Sequence, residues 1–232
     1  MTASWLLRMR WLDLLFAHWP VDADRLAALL PDGLELDTLG GQAWLGIVPF
    51  TMADVAPRGI PAIPRFSTFP ELNVRTYVRH GTESGIFFLS LDAASRPTVE
   101  GARRVFHLPY FRAEMSSTRA EGAIEYRSRR VDRRGRPAAF EARYRPTGPP
   151  AVAAAGSLED WLTRRMQLFS ADGRGRIWRT RIAHADWPLQ SAEAEIAVDT
   201  MAAAHGLELP ARPPHLRFAA RLDVRGWPPE RA

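Results

Sequence analysis

Glu71, Asn73, Arg75 and Tyr77 stand at every second position of one short stretch. Period two is the period of a strand, so these four side chains share one face and Leu72, Val74, Thr76 and Val78 share the other. A carboxyl group, a carboxamide and a guanidinium in one line suit a small polar ligand. The first can move a proton, the second can orient, and the third can hold an anion. Two placements produce the same alternation. On a sheet with one wet face the polar set points to solvent. In a curled sheet it points inward and floors a binding pocket. The residues alone leave both open.

Other chemistry finds less support. The six histidines, His18, His80, His107, His184, His205 and His215, form no H-x-x-x-H or H-E-x-x-H pair, so no zinc spacing is present. His18 is expected to share a strand face with Leu12, Leu14 and Phe16, as a core histidine. There is no G-x-S-x-G elbow and no glycine-rich phosphate loop. With no cysteine, disulfides, thiolate metal sites and a cysteine nucleophile are all excluded. Nothing in the sequence calls for a metal or a cofactor.

All 31 basic residues are arginine, and the 232 residues contain no lysine. The net charge of +5 and the pI of about 10.5 therefore partly reflect the high intrinsic pKa of arginine. Arg127, Arg129, Arg130, Arg133, Arg134 and Arg136 invite a nucleic-acid reading, which would want aromatics interleaved. The expectation instead is a solvent-exposed hairpin arm and tip.

Several elements must position the alternating stretch. Trp5 to Trp19 reads as a long strand, apolar on both faces and therefore central. Asp22 caps a helix over Ala23–Leu30, stopped by Pro31-Asp32-Gly33. Gln42–Phe50 is a strand, and the prolines and glycine between Ala53 and Pro70 predict a long ordered loop beside the pocket mouth. Glu71–Arg79 pairs with Gly85–Leu91 across the turn at His80–Ser84. Ala123–Val131 and Ala138–Arg145 form a hairpin. Ser157 and Asp160 cap a helix over Leu158–Met166. Further strands are expected at Arg176–His184, Glu193–Val198 and His215–Val224, with Leu216, Phe218, Ala220, Leu222 and Val224 on one apolar face, and a short helix running from Asp199 to Gly206. Many strands with two or three short helices give a mostly β (α+β) protein built on a curled antiparallel sheet. No composition break divides residues 1–232, so one domain is expected. Trp5–Trp19 carries Arg8, Arg10 and Asp13 and no cleavage site, unlike a signal peptide. No apolar run reaches bilayer length. The expected setting is cytoplasmic, without a membrane partner.

Two stretches resemble the acetoacetate decarboxylase superfamily: Asp22 to Glu35, similar to its D-x-x-x-L-x-x-x-x-P-x-x-L-E helix and turn, and Gly101 to Phe111, similar to the segment that bears the catalytic lysine after a proline. The segments F-A-H-W-P-V (Phe16–Val21), F-P-E-L-N-V-R-T-Y-V (Phe69–Val78), L-P-Y-F (Leu108–Phe111), G-S-L-E (Gly156–Glu159) and L-D-V-x-x-W-P (Leu222–Pro228) resemble the YqjF-like bacterial domain-of-unknown-function family, placed within the acetoacetate decarboxylase-like superfamily. The resemblance implies a cone or barrel of antiparallel strands around a central pocket. It also sets Tyr110 where the decarboxylase has its imine-forming lysine. Arginine cannot replace that lysine, because its guanidinium stays protonated and is a poor nucleophile.

The leading reading is a small-molecule pocket protein, an enzyme acting without lysine on a carbonyl or carboxylate compound. In it Glu71 is the acid/base, Arg75 the anion clamp, Asn73 an orienting group and Tyr110 a hydrogen-bond donor. The alternative is a non-catalytic binding or sensing module using the same pocket. A third is a nucleic-acid-associated protein acting through its arginine surface, whose affinity would fall steeply with salt. A homo-oligomer is compatible with all three.

Overall fold

A strand that is apolar on both faces needs cover on both sides, and β1 (Leu7–Val21) receives it. The computed structural model describes residues 4–63 and 67–232. In it β1 pairs antiparallel with β12 (His215–Gly226) on one edge and with β3 (Ala43–Pro57) on the other. β3 continues to β4 (Phe69–His80), which pairs with β5 (Glu83–Ala93) across a tight turn at His80 and Glu83. After helix α1 (Ala23–Ala27), β2 (Glu35–Leu36) adds a short edge beside β4.

The chain then splits the sheet into two rings. Helix α2 (Arg96–Val105) carries the chain from β5 to a parallel neighbour, β6 (Tyr110–Ala120). Antiparallel partners follow through β7 (Ala123–Arg130), β8 (Ala139–Pro146) and β11 (Gln190–Asp199), and β11 returns to β12. This closes a barrel of nine strands. On the opposite side helix α3 (Leu158–Thr163) leads into β9 (Gln167–Ala171), parallel to β5, and β10 (Ile177–His184), antiparallel to β12. β13 (Glu230–Arg231) borders β10. Strands β12, β1, β3, β4 and β5 are therefore a wall shared by two interiors.

Strand parity sorts the shared wall between those interiors. Leu15, Ala17, Trp19, Leu45, Ile47, Leu72 and Val74 pack with Ile124, Tyr126, Phe140 and Tyr144 inside the nine-strand barrel. Leu14, Phe16, Val48, Phe50 and Tyr77 pack with Ile86, Phe88, Leu162 and Trp187 on the other side. Parity inverts within β1: Met9 and Trp11 face the same interior as Leu14 and Phe16. Asp13 takes φ 54° between them, a one-residue bulge that reverses which face each side chain uses. Tyr144 donates to the Asp13 carbonyl at 2.9 Å from the barrel side, and Arg119 pairs with the Asp13 carboxylate. Asp54 does the same in β3 at φ 52°, beyond which Val55 joins Met52 on the second interior.

Several expectations need correction. Leu12 lies before the bulge, so it does not share the His18 face with Leu14 and Phe16. β3 runs on to Pro57, because prolines at an edge or strand end cost no ladder bond; the long loop starts only there. Pro64 falls outside the described residues. Helices α1 and α3 are shorter than expected, though Asp22 and Ser157 cap them as their positions imply, accepting from Arg25 at 2.8 Å and Asp160 at 3.2 Å. The helix from Asp199 reduces to a 3₁₀ turn at Ala203–His205. Ala220 is exposed, since β12 crosses from one interior at Phe218 to the other at Leu222. Two strand pairs are parallel, within an otherwise antiparallel sheet.

Candidate functional site

The polar face of β4 is not solvated. Glu71, Asn73 and Arg75 are 2%, 5% and 6% exposed, and Tyr77 is fully buried. Their apolar neighbours Leu72 and Val74 point into the barrel core, so the alternation separates two interiors rather than core from water. Glu71, Asn73, Arg75 and Tyr110 all line one cavity of 160 Å³ in the second interior. Helix α2 covers it with Thr98 and Ala102, followed by Phe106 and Leu108; β9 and β10 close it with Leu168, Thr180 and Ile182. From the segment between Ala53 and Pro70, Val55 and Phe69 reach this lining as strand residues, while the stretch 58–63 does not, and α2 covers the cavity beside them.

At one end Tyr110 donates its hydroxyl to Glu71 Oε2 at 2.9 Å. Burial pushes the Glu71 carboxyl up to about 8, against the pull of the Tyr110 hydrogen bond. Near neutral pH this group is therefore mostly a neutral acid with a proton to give. Burial also pushes the Tyr110 phenol well up, and the adjacent carboxyl adds to it, so Tyr110 remains a donor. From the barrel side, through the wall, Tyr126 donates to the Glu71 carbonyl at 2.6 Å.

At the other end the Arg75 guanidinium lies 5.3 Å from the Phe16 ring and 6.0 Å from that of Tyr77. Its Nε has no hydrogen-bond partner, and no carboxylate of the described residues lies within ion-pairing distance. Tyr77 Oη meets His18 Nε2 at 2.7 Å. His18 is buried and held well below the usual histidine range, first by desolvation and then by Arg75 and His215. It stays neutral and cannot balance the arginine with any anion.

Sequence reasoning missed the rest of the lining. Arg165 follows α3 and stacks on Trp161 at 4.5 Å and on Tyr77 at 5.1 Å. Its Nη1 pairs with Asp37 at 2.7 Å and its Nε donates to the Trp161 carbonyl, but Nη2 has no partner. Trp11 and Trp187 stack at 5.8 Å, with Phe50 edge-on to Trp11 and Phe16 edge-on to Trp187. His184 Nδ1 lies 2.7 Å from the Ala185 carbonyl, which only accepts. The proton therefore sits on Nδ1, and Nε2 is left as a lone pair. Only the W-x-x-x-R spacing of Trp161 and Arg165 offered a sequence signal, and its helical stretch is too short to stand out.

The arginine run divides. Arg127, Arg129, Arg133 and Arg136 are exposed, and Arg134 pairs with Asp132 and Glu100. Arg130, expected outside, is buried against Asp92 at 2.8 Å. Strand β7 alternates, and position 130 falls on the inner side with Tyr126 and Ser128.

The fold, a closed nine-strand barrel with three short helices, is acetoacetate decarboxylase-like. The structure aligns with the acetoacetate decarboxylase of Legionella pneumophila at a TM-score of 0.70 and 14% identity, covering 98% of this chain and 87% of that one. It aligns with the enduracididine biosynthesis enzyme MppR complexed with pyruvate at 0.68 and 12%, covering 100% and 91%. An acetoacetate decarboxylase-like enzyme from Sphingomonas wittichii RW1 gives 0.62 and 15%, covering 97% and 92%. The chain belongs to the DUF2071 family, described as an uncharacterized conserved protein, which it matches over residues 8–223. It is 48% identical over 224 residues to the uncharacterized protein YqjF of Bacillus subtilis (strain 168), covering 97% of this chain and 91% of that relative.

Proposed function

We propose that the protein binds a small organic acid carrying a carbonyl group in the β4 cavity and acts on it without a covalent imine. No lysine stands anywhere in the 232 residues, so no lysine side chain can form one. Arg75 takes the carboxylate, Asn73 orients the ligand, and Glu71, steadied by Tyr110, gives a proton or a hydrogen bond to the carbonyl oxygen. The observation that carries this reading is Arg75 itself: a cation buried to 6% exposure with no counter-charge. A buried charge without a partner is costly, and an anionic ligand removes that cost. Tyr110 occupies the place of the nucleophile but cannot replace its chemistry, because its hydroxyl is engaged with Glu71 and held protonated.

Saturation-transfer NMR with a panel of 2-oxo and 3-oxo acids tests the reading, with product signals followed over hours. Binding is expected in the native protein and is expected to be lost in Arg75→Gln. Turnover is expected to fall in Glu71→Gln while binding persists. Binding with no turnover of any acid would favour the sensing module instead. No saturation transfer to any acid would sink both.

A further inference from the structure

Three features of the cavity restrict the ligand further. The first is span. Glu71 and Arg75 are four residues apart on one strand face, which separates their Cα atoms by about 13 Å at roughly 3.3 Å per residue. Their side chains shorten that gap from both ends, and a ligand held by both carries polar groups at its two ends. The second is the aromatic lining beside this line. Phe50 is the cross-strand neighbour of Glu71, and Trp11 lies one strand further along the same sheet. Trp187 stacks on Trp11 with planes 20° apart, and Phe50 meets Trp11 at 68°. Phe88, Leu91, Leu108 and Ile182 complete it. The third is size. At 160 Å³ the space resembles apolar cavities of about 150 Å³, which accept one benzene ring.

Unpartnered polar atoms sit around this apolar middle. Arg75 Nε and Arg165 Nη2 lack hydrogen-bond partners near one end, and Asn73 Oδ1, Thr180 Oγ1 and Trp11 Nε1 lack them elsewhere along the lining. Each belongs to a residue that lines the cavity. Buried polar atoms left unpaired in a folded protein call for a partner.

We infer that the ligand is a monocyclic aromatic carboxylic acid with an oxygen function across the ring from the acid group. The carboxylate lies at Arg75 and Arg165, the ring packs against the Trp11–Trp187 wall, and the distal oxygen meets Glu71 and Tyr110. A rigid ring fills this space with favourable edge and face contacts, and it loses less freedom on binding than an alkyl chain of similar length. The inference rests on the reading of the cavity as an organic-acid site; it adds the ring and widens the group at Glu71 and Tyr110 from a carbonyl to any oxygen function, probed here by a phenol.

Calorimetric titration of the unaltered full chain with four probes separates the two claims. The probes are 4-hydroxyphenylacetate, phenylacetate, octanoate and acetoacetate. The expected result is 4-hydroxyphenylacetate tightest, at least tenfold above octanoate and acetoacetate, with quenching of tryptophan fluorescence. Phenylacetate is expected between them, and Glu71→Gln is expected to change the ratio between the two aromatic acids while phenylacetate still binds. Acetoacetate or octanoate binding as tightly as 4-hydroxyphenylacetate would overturn the aromatic assignment and leave the organic-acid site standing. Failure of all four acids to bind would overturn both.

Discussion

Three arginines are buried among the described residues, and two of them, Arg130 and Arg75, lie in different interiors with opposite surroundings. Arg130, on the barrel side, gives Nε to Asp92 at 2.8 Å, Nη2 to Ser90 at 3.0 Å and Nη1 to the Arg136 carbonyl, and it stacks on Phe111 at 4.4 Å. Ser90 in turn meets His205 at 3.0 Å. Arg75, across the wall, has aromatic rings but no carboxylate. Burial alone does not distinguish them; the difference lies in satisfaction. A buried charge whose needs are met by its own chain holds structure together. Arg75, whose Nε has no partner and which has no carboxylate beside it, is the group to which the proposal assigns the ligand's anion.

The largest expected effect follows from Arg130. Arg130→Met leaves Asp92 buried and unpaired, so urea denaturation should show a loss of about 3–5 kcal/mol. Arg75→Met removes an unpaired buried charge and should raise stability, by about 1 kcal/mol or more, in the absence of ligand. Equal losses in the two variants would erase the contrast between the interiors.

Glu71 provides the next effect, read against pH. Its carboxyl is raised from 4.5 to about 8 in the folded protein, so the folded state holds a proton that the unfolded state releases. Stability therefore declines as pH rises between those values, with a slope of up to about 1.4 kcal/mol per pH unit. Glu71→Gln should flatten that decline and be the more stable protein at pH 8 to 9, as read from thermal melting across pH 5 to 9. A native protein whose melting point is level across that window would show that the carboxyl is already ionised.

Tyr126→Phe is a smaller test of the contact through the wall. Losing the bond to the Glu71 carbonyl should cost about 1 kcal/mol and weaken ligand binding without altering the surface. The smallest effect belongs to the arginine tip. Arg133, Arg134 and Arg136 replaced together by Ser should cost no more than about 0.5 kcal/mol each, with Arg134 contributing most through its contacts to Asp132 and Glu100. Organic-acid binding should be unchanged in that variant.

The legible part of the site was the part written in strand parity. Glu71, Asn73 and Arg75 declare their common face through a period of two, and the hairpin of β7 and β8 was visible for the same reason. Parity could not say whether the opposite medium was water or a second interior, because a cavity tolerates the same polar residues that a solvated face does. It also failed where the backbone breaks period: the bulge at Asp13 moves Leu12 off its apparent face, and the only sign is that Asp tolerates positive φ, as Asp54 also does. Helix α2 was overlooked because its apolar stripe is thin: Val99 alone is buried, with Ala102 beside it, in a stretch dominated by arginine. Arg165 and Trp187 come from short or irregular segments, where spacing carries no face information.

The shared wall also constrains how such a chain can diverge. A single-residue insertion or deletion within β4 would turn Leu72 and Val74 into the cavity and drive Glu71 and Arg75 into the barrel packing. Substitutions on the cavity face meet no such obstacle, since the barrel reads only the alternate positions. Descendants of this fold can thus change the cavity's chemistry through the side chains at 71, 73 and 75, while the register of the strand that carries them stays fixed.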